Sequence, residues 1–565
     1  MKRYAAPALA GLLVAAFILQ TAAAARVLSL CNDEAKHLVT GWWHAQTREC
    51  CLGVDNTPLT AWFALPALLM RGSPDDLEMR PGANAHPTGN KLIFGSTDPE
   101  GLLVASRWMT IAAGVVLLAA AAGLSLRLFG AGGALLTLAL LAVDPNLLAH
   151  FSLVSTDALL AATAMVFLLT LDVFLRKPDA RRSLLCGAAL GLALLAKFNA
   201  LVLIPAALVI VPVYRKKTPP RAATTWLVDF LLAALCAAAV VWIGYGFHLS
   251  ARAPYLEFPG LAAGFVQARA YATSGMLSFF NGEVGATWPG YFPEVLLLKT
   301  PIPLLIIWGT TIALFIATRQ WIRNEGLAPL AAALVFFGAA TSSSLNIGVR
   351  HILPTYAFMA VFCGALIPVL REFAPSGRKA AACATGALIL WLGCEAAMIH
   401  PSYLSYFNEL AGGPRGGIRY LGDSNLDWGQ DLKQLKRVMD ARGIGEVILS
   451  YAGNTDPAFY GIRYQYLPLM IVGSSQGDRV VDVRQEILAV STNNLQGIFM
   501  DDPEDLRWLL GRAPFATAGF SIYLYDITGD ATAHRRLSAL YARYGLAGLA
   551  AKEMDKAVAL GAAIR

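Results

Sequence analysis

The stretch Asn32-Asp33-Glu34-Ala35-Lys36-His37 follows closely on the first apolar run of the chain, residues 4–25. It places two adjacent carboxylates just after the end of a hydrophobic segment, at the boundary between a low-dielectric region and water. Ionised groups are costly there unless they bind a partner. The stretch therefore predicts a functional site at this boundary. The alternative, from these residues alone, is a solvated loop that happens to begin with acidic residues.

Composition indicates a membrane protein. The 565 residues are 56% hydrophobic and only 15% charged, whereas an average soluble protein carries roughly 25% charged residues. The mean hydropathy is +0.53. These values predict a polytopic membrane protein with some water-exposed mass. The net charge of +7 is modest, and a charge bias between the two membrane faces explains it without a nucleic-acid partner.

Apolar runs that could cross a bilayer recur along residues 1–400. The first, 4–25, ends in four alanines and also suits a signal peptide, but its length favours a retained helix. A shorter run at 59–70 predicts an interfacial or re-entrant helix. With the first run, the further runs predict about eleven transmembrane helices. These further runs are 102–126, 131–149, 154–175, 183–197, 199–214, 224–247, 295–318, 327–345, 351–370 and 380–399.

Lysine and arginine concentrate in alternate short loops. The positive-inside rule places such loops in the cytoplasm, so the N-terminus is predicted inside and the long loops 26–101 and 248–294 outside. For a bacterial inner membrane, the outer loops then face the periplasm. The basic residues of the alternate loops are Arg127, Arg176, Lys177, Arg181, Arg182, Arg215, Lys216, Lys217, Arg221, Arg319, Arg323, Arg371, Arg378 and Lys379.

The composition changes near residue 401, which predicts three parts of the chain. Residues 1–400 form the membrane domain. Helix and strand periods alternate over 401–530, which predicts a periplasmic α/β domain, and 531–565 predicts a terminal helical hairpin. The elements expected in the α/β domain are helices over 431–442 and 503–510 and strands at 447–451, 486–491 and 521–526.

Three carboxylates on the predicted outer side are candidate catalytic groups: Asp33, Glu34 and Asp157. A carboxylate can act as a general base when it lies within hydrogen-bond reach of the attacking nucleophile. A second acid nearby can hold a metal ion, orient the acceptor or raise the pKa of the first. Asp157 equally suits a plain helix cap. No cofactor is certain, and a divalent Mg or Mn ion held by these three acids is the one candidate.

Cations on the same predicted face point to a phosphate. Lys299, Arg350 and His351 lie near the outer ends of spans. Arginine binds phosphate through paired hydrogen bonds. Two cationic positions on one face favour a bound phosphate over simple contact with lipid headgroups. Three further polar residues of the outer side are candidate donor or acceptor contacts: Asn56, His150 and Glu283.

The outer segment Asp423-Ser424-Asn425-Leu426-Asp427-Trp428-Gly429-Gln430-Asp431 has the composition of a strand-to-helix turn. Asp or Asn is then expected to cap the helix that begins at residue 431. This structural role is favoured, and contact with an acceptor is the alternative.

Three cysteines flank the first outer loop. If the loop faces an oxidising compartment, Cys31 can pair with Cys50 or Cys51. The odd number leaves at least one of the three outside that bridge. The bridge would restrict the acid pair beside it.

Five motifs in order resemble one family: Asp33–His37, Asn56–Leu59, Pro145–Asp157, Lys299–Pro301 and Arg350–Pro354. They are similar to the motifs of phospholipid-carrier-dependent glycosyltransferases of the family 39 type. That family includes protein O-mannosyltransferases and lipid A aminoarabinose transferases, which share the GT-C membrane fold. The resemblance extends to about Phe520, and the order and spacing of the motifs carry it rather than any single one.

The resemblance implies an inverting glycosyltransferase that takes a sugar from a polyprenyl-phosphate donor. Asp33 is then the base, supported by Glu34 and Asp157, and residues 1–400 are the glycosyltransferase domain. The implied partners are the lipid-linked sugar, membrane lipid and an acceptor protein, lipid or glycan. One departure concerns Asn56, which stands where the family usually has the histidine of a His-Pro-Pro-Leu motif. The missing imidazole leaves metal use open, and His86 does not have the matching spacing.

Two other classes of function are alternatives. A lipid transporter or flippase predicts charged residues in the middle of spans and paired halves of the chain, whereas the ionisable groups here collect at the predicted outer ends. A sensor with a ligand-binding outer domain does not require Asp33, Glu34 and Asp157 on one face.

Overall fold

The computed structural model describes residues 2–47, 57–71, 84–215, 222–247, 250–252, 255–257, 259–319, 325–373, 377–467 and 486–563. Over these ranges the chain is mostly helical and ends in a region that contains a five-stranded sheet. The predicted fold class, a polytopic helical protein with a C-terminal α/β region, is confirmed.

The elements are numbered in chain order. The helices are α1 Lys2–Val27, α2 Asn32–Thr47, α3 Leu59–Arg71, α4 Ala85–Phe94, α5 Pro99–Ala142, α6 Pro145–Phe151, α7 Thr156–Arg176, α8 Ala180–Ala196, α9 Leu203–Arg215, α10 Ala223–Gly244, α11 Pro259–Ser274, α12 Tyr291–Lys299, α13 Ile302–Ala317, α14 Leu327–Thr341, α15 Leu353–Cys363, α16 Leu366–Phe373, α17 Arg378–Ile399, α18 Gly413–Gly416, α19 Leu432–Arg442, α20 Thr492–Leu495, α21 Glu504–Arg507, α22 Ala531–Arg543 and α23 Ala547–Ala563. The strands are β1 Ser250–Arg252, β2 Tyr255–Glu257, β3 Ser278–Phe280, β4 Glu283–Gly285, β5 Val447–Ser450, β6 Tyr464–Tyr466, β7 Ile487–Ser491, β8 Ala516–Ala518 and β9 Ile522–Asp526.

Six apolar stretches within the described ranges are long enough to cross a membrane, and the pair α12–α13, bent by 112°, makes seven if it counts as one span. The predicted count of eleven therefore stays a prediction. One reason for the difference is that α5 runs through two predicted spans, with a break at Gly130 (φ 76°). Another is that α8, α9 and α14 are shorter than 18 residues.

The first long polar region contains helices rather than an extended loop. Helices α2, α3 and α4 pack together around a small apolar core that includes Leu38, Trp43, Ala64 and Leu92. Asp33 and Glu34 lie in the first turn of α2. Negative charge is favourable there because the helix dipole presents its positive end.

The C-terminal sheet is mixed, with strand order β6-β5-β7-β9-β8. Strand β5 is parallel to β6 and β7, and β9 is antiparallel to β7 and β8. The expected helix ends at Gly443, whose φ of 66° suits glycine. The strands and helices predicted for this region and the terminal hairpin are confirmed to within a few residues, apart from the helix at 503–510, which continues beyond α21 as a 3₁₀ turn.

Backbone hydrogen bonds join the start of α2 to the C-terminal region. The amide of Ser29 donates to Gln430 O at 2.9 Å, and that of Asn32 donates to Trp428 O at 3.1 Å. The Ser29 hydroxyl donates to Gly429 O. The first turn of α2 is therefore positioned by a segment about 400 residues away in the sequence. The division at residues 400 and 530 stays a prediction.

Candidate active site

Asp33 faces Arg350 across the start of α2. Arg350 Nη1 lies 3.2 Å from Asp33 Oδ2, and the Asp33 side chain is 35% exposed. Burial alone would raise the pKa of Asp33, but the charges of Arg350, His37 and Lys36 outweigh it and lower the pKa below its ordinary value. Asp33 is therefore an ionised, partly accessible carboxylate at neutral pH, as a general base must be.

A first cavity of about 460 Å³ opens on this carboxylate. One part of its wall is apolar and includes Phe198, Phe292 and Phe336. The other part is polar and strongly cationic, because Lys36, Lys197 and Arg350 all line it. The remaining polar residues of the wall are His37, Thr57, Thr156, Asn199, Ser343 and His351. A cavity with an apolar wall beside several cations suits a lipid that carries a phosphate.

Lys197 is a residue of this cavity that the motifs did not identify. It lies between α8 and a 3₁₀ turn at Phe198–Val202, and its Nζ is 2.5 Å from Asp157 Oδ1. Asp157 is buried and holds the ammonium group at the cavity wall. Lys197 appeared in the sequence only as an interruption between two apolar runs. An ionisable residue at such a position is itself a signal of function.

Glu34, the neighbour of Asp33, points into the core. Its carboxylate accepts two hydrogen bonds from Arg107, at 2.8 and 2.6 Å, and two more from the amides of Cys31 and Val154. Both side chains of the Glu34–Arg107 pair are at most 1% exposed. Arg107 also donates to three backbone carbonyls, one in the last turn of α1 and two in the linker before α2. Glu34 therefore fixes the position of α2 and does not line the cavity.

Lys299 likewise lies away from the first cavity. Its ammonium group is buried and donates to the carbonyls of Leu404 and Asn425, at 2.9 and 2.6 Å. These bonds satisfy the charge inside the protein and connect the α12–α13 bend to the segment at 423–431. Phosphate binding by Lys299 stays a prediction that this geometry does not favour.

The other candidate residues occupy different places. His351 lines the first cavity beside Arg350. His150 is buried against Trp428, with ring centroids 6.0 Å apart, and neither ring nitrogen has a hydrogen-bond partner within the described ranges. Glu283 is exposed in β4 and lines neither of the two cavities at Asp33. Asn56 lies outside the described residues, as do Cys50 and Cys51, so the predicted disulfide stays a prediction.

A second cavity, of about 550 Å³, meets the first at Asp33. Asp33, Met276, Ile347 and Arg350 line both. The second cavity extends towards the C-terminal sheet and is lined by both polar and apolar groups. Its other lining residues include Asn32, Asn84, His86, Asp423, Asp427, Trp428, Tyr451, Asn454, Thr455, Tyr464, Tyr466 and Asn493.

The segment 423–431 lines the second cavity through Asp423, Asp427 and Trp428, which its helix-cap interpretation did not predict. Asn425 accepts from the amide of Val349 and donates to the Tyr291 hydroxyl, at 2.9 Å each. The carboxylate of Asp431 precedes α19 without capping it and accepts from the Ser521 hydroxyl at 2.6 Å. The segment therefore fixes the position of Arg350 relative to the start of α2.

A metal site does not form from the three predicted acids. Asp33 pairs with Arg350, Glu34 with Arg107 and Asp157 with Lys197, so each carboxylate faces a cation of the protein. Within the described ranges, no three or more His, Cys, Asp or Glu side chains converge as metal ligands. The donor set present does not fit a divalent ion, and no step below uses one.

Comparison with known proteins finds a family model that matches one part of the chain. Residues 93–243, which include Asp157 and Lys197, match the family described as dolichyl-phosphate-mannose-protein mannosyltransferase. No curated protein sequence matches significantly.

Two groups of solved structures are similar to the chain. ArnT from Cupriavidus metallidurans bound to undecaprenyl phosphate has 14% identity and a TM-score of 0.47, over 91% of this chain and 97% of that one. The oligosaccharyltransferase of Archaeoglobus fulgidus, in complex with Zn and sulfate, has 12% identity and a TM-score of 0.40, over 68% of this chain and 53% of that one. The family match over residues 93–243 confirms the predicted resemblance to phospholipid-carrier-dependent glycosyltransferases of the family 39 type.

Proposed function

We propose that this protein transfers a sugar, with inversion, from a polyprenyl-phosphate donor to an acceptor hydroxyl. The observation that carries the proposal is the first cavity, where the ionised Asp33 shares a wall with Lys36, Lys197 and Arg350 and with apolar side chains. The matched family supports the proposal, because its description names a dolichyl-phosphate-linked sugar as donor.

Each group in the cavity has a defined part in the proposed reaction. The Asp33 carboxylate accepts the proton of the acceptor hydroxyl as the oxygen attacks the anomeric carbon. The bond between that carbon and the phosphate oxygen breaks, and its electron pair leaves with polyprenyl phosphate. Lys197 and Arg350 stabilise the charge that develops on the phosphate. Asp157 acts through Lys197, which it positions.

We further place this site at the outer face of a bacterial inner membrane, with the N-terminus in the cytoplasm. The alternation of basic loops supports that orientation. The proposed donor then reaches the first cavity from the outer leaflet, and the acceptor, whether protein, lipid or glycan, arrives from the periplasm.

The decisive test uses the purified chain in detergent with a panel of radiolabelled polyprenyl-phosphate sugars. A transferase releases polyprenyl phosphate from at least one of them, to an added acceptor or slowly to water. A flippase moves the lipid across a vesicle bilayer and leaves the sugar–phosphate bond intact. Lipid movement without bond cleavage across the whole panel would contradict the proposal.

A further inference from the structure

The second cavity is lined by groups that binding of the proposed lipid donor does not require. It is built largely from the C-terminal region: Asp423, Asp427 and Trp428 lie in the segment before α19, and Tyr451 and Tyr466 lie at the ends of β5 and β6. It meets the first cavity at Asp33, Met276, Ile347 and Arg350. A ligand bound here can therefore reach Asp33 from a cavity other than the cationic one.

One carboxylate in this wall lacks a full set of partners. The Asp427 side chain is 1% exposed, and its Oδ1 accepts from the Gly429 amide at 3.0 Å. Its Oδ2 is buried and has no hydrogen bond to any residue that the structure describes. Burial raises the pKa of Asp427 to about 6, although the Gly429 amide bonded to Oδ1 acts in the opposite direction. A buried acceptor left unpaired is costly. A ligand hydroxyl donated to Oδ2 would remove that cost.

The charge of the wall excludes one class of ligand. Among its described residues, the wall has three carboxylates, Asp33, Asp423 and Asp427, against the guanidinium of Arg350 and the imidazole of His86. Arg350 is already engaged by Asp33 and by the Trp428 ring, which lies 4.3 Å from the guanidinium carbon. An acceptor that carries phosphate would be repelled here.

The remaining groups suit a ligand rich in hydroxyls. Asn84 and Asn454 provide side-chain amides, although Asn84 Oδ1 also accepts from the His86 amide. The Asn493 side chain bonds to the backbone of Asp423 and Asp427 and supports the wall. The hydroxyls of Tyr451 and Tyr464 already bond within the protein, so these two rings offer apolar surface rather than hydrogen bonds. Side-chain acceptors beside aromatic surface match the hydroxyl groups and C–H faces of a sugar. A peptide has only one donor and one acceptor per residue on its main chain.

We propose that the second cavity binds the acceptor and that this acceptor is a neutral, hydroxyl-rich glycan. This proposal rests on the proposed transferase function, because the bound acceptor provides the nucleophile that Asp33 deprotonates. Asp427 accepts a glycan hydroxyl, and the chain segments around Trp428 and Tyr451 hold the sugar units so that one hydroxyl reaches Asp33 from the second cavity.

The test measures binding to the full-length purified protein in detergent. Three probes are compared: neutral oligosaccharides of four to six sugars, such as glucans, mannans and chitin fragments, the same oligosaccharides with a terminal phosphate, and a peptide rich in Ser and Thr. Binding of a polyprenyl-phosphate sugar is measured in parallel. Neutral oligosaccharides are expected to bind, and their phosphorylated forms and the peptide are expected to bind more weakly.

Two variants test the wall itself. Asp427→Asn keeps the shape but removes the charged acceptor, and Asn454→Trp, at an exposed lining position, fills the mouth without disturbing a buried residue. Each is expected to weaken oligosaccharide binding about tenfold or more, on the scale of one hydrogen bond to a charged group, and to leave donor affinity within experimental error. Asp440→Asn and Asp440→Trp, on the exposed side of α19, are the matched controls and should change neither affinity.

The outcomes separate this inference from the proposed function. If donor binds and turns over but no neutral oligosaccharide binds, or the phosphorylated probe or the peptide binds better, the glycan proposal is wrong and the transferase proposal stands. The same holds if both cavity variants bind oligosaccharide as the wild type does. If oligosaccharides bind and lose affinity in both variants while no lipid donor is cleaved, the second cavity binds glycans but the proposed transfer chemistry is wrong.

Discussion

The first turn of α2 presents two neighbouring acids to opposite environments. On the cavity side, Asp33 is partly exposed and meets one cation at 3.2 Å. On the core side, Glu34 is buried, with four hydrogen bonds that include two from Arg107. A general base must be able to reach a ligand, whereas a buried structural carboxylate must have its hydrogen-bond acceptors paired. We therefore propose that Asp33 serves the reaction and Glu34 serves stability.

Removing the buried Glu34–Arg107 ion pair should have the largest effect on stability. Glu34→Gln leaves the Arg107 charge buried without a carboxylate, and loss of one partner of a buried pair costs about 3–5 kcal/mol. We expect a clearly lower melting temperature in detergent. Asp33→Asn is the matched control, since it makes the same chemical change one residue earlier at an accessible position. If Glu34→Gln melts like the wild type but loses turnover, the two acids have the opposite roles.

The same comparison extends to two lysines. Lys197 lines the first cavity, whereas Lys299 is bonded to backbone carbonyls inside the protein. Lys197→Ala should weaken donor binding roughly 10- to 100-fold, the equivalent of one charge-assisted hydrogen bond. Lys197→Arg, which keeps the charge beside Asp157, should recover part of this loss. Donor affinity can be measured by equilibrium binding of a labelled polyprenyl-phosphate sugar.

Lys299→Ala provides the contrasting result. It should lower thermal stability, because it leaves two buried carbonyls without a donor, and the folded fraction should bind donor normally. Lys436→Ala, at a partly exposed position on α19, controls for removal of a lysine. Weak donor binding by Lys299→Ala together with normal binding by Lys197→Ala would place the phosphate at Lys299, as the motif alone predicted.

The sequence predicted the class of fold and the acid motif because both depend on local patterns. Apolar runs mark spans, and the order of motifs marks the region of Asp33 and Arg350. The separate roles of Asp33 and Glu34 could not be predicted, because Arg107 lies 73 residues from Glu34 in the chain. The role of the segment 423–431 was underestimated for the same reason. Its composition suits a turn, while its contacts with Ser29 and Val349 are long-range.

The pH dependence of turnover should test the contact between Asp33 and Arg350, with a smaller effect. Turnover needs ionised Asp33, so it is present above the pKa of that carboxyl and is lost as the pH falls through it. In the wild type the lowered pKa places this acidic limb below the ordinary value of 3.8. Arg350→Met removes the largest lowering charge, so burial raises the pKa and the limb moves to higher pH.

The shape of the profile, rather than its height, is the measurement for Arg350→Met, because loss of Arg350 also weakens donor binding. Arg437→Met, an exposed position on α19, is the control and should leave the profile unchanged. If the acidic limb of the turnover profile stays at the same pH in Arg350→Met, a group other than Asp33 determines that limb.

The most direct test of the central assignment is the rate at which Asp33→Asn releases polyprenyl phosphate from a lipid-linked sugar, measured beside wild type at saturating donor. The change is isosteric and lies at a partly exposed position, so the melting temperature and donor affinity should be retained. Turnover should fall about 10²-fold or more, the loss expected when a general base is removed. Turnover close to that of the wild type in a folded, donor-binding Asp33→Asn protein would contradict the assignment of Asp33 as the base.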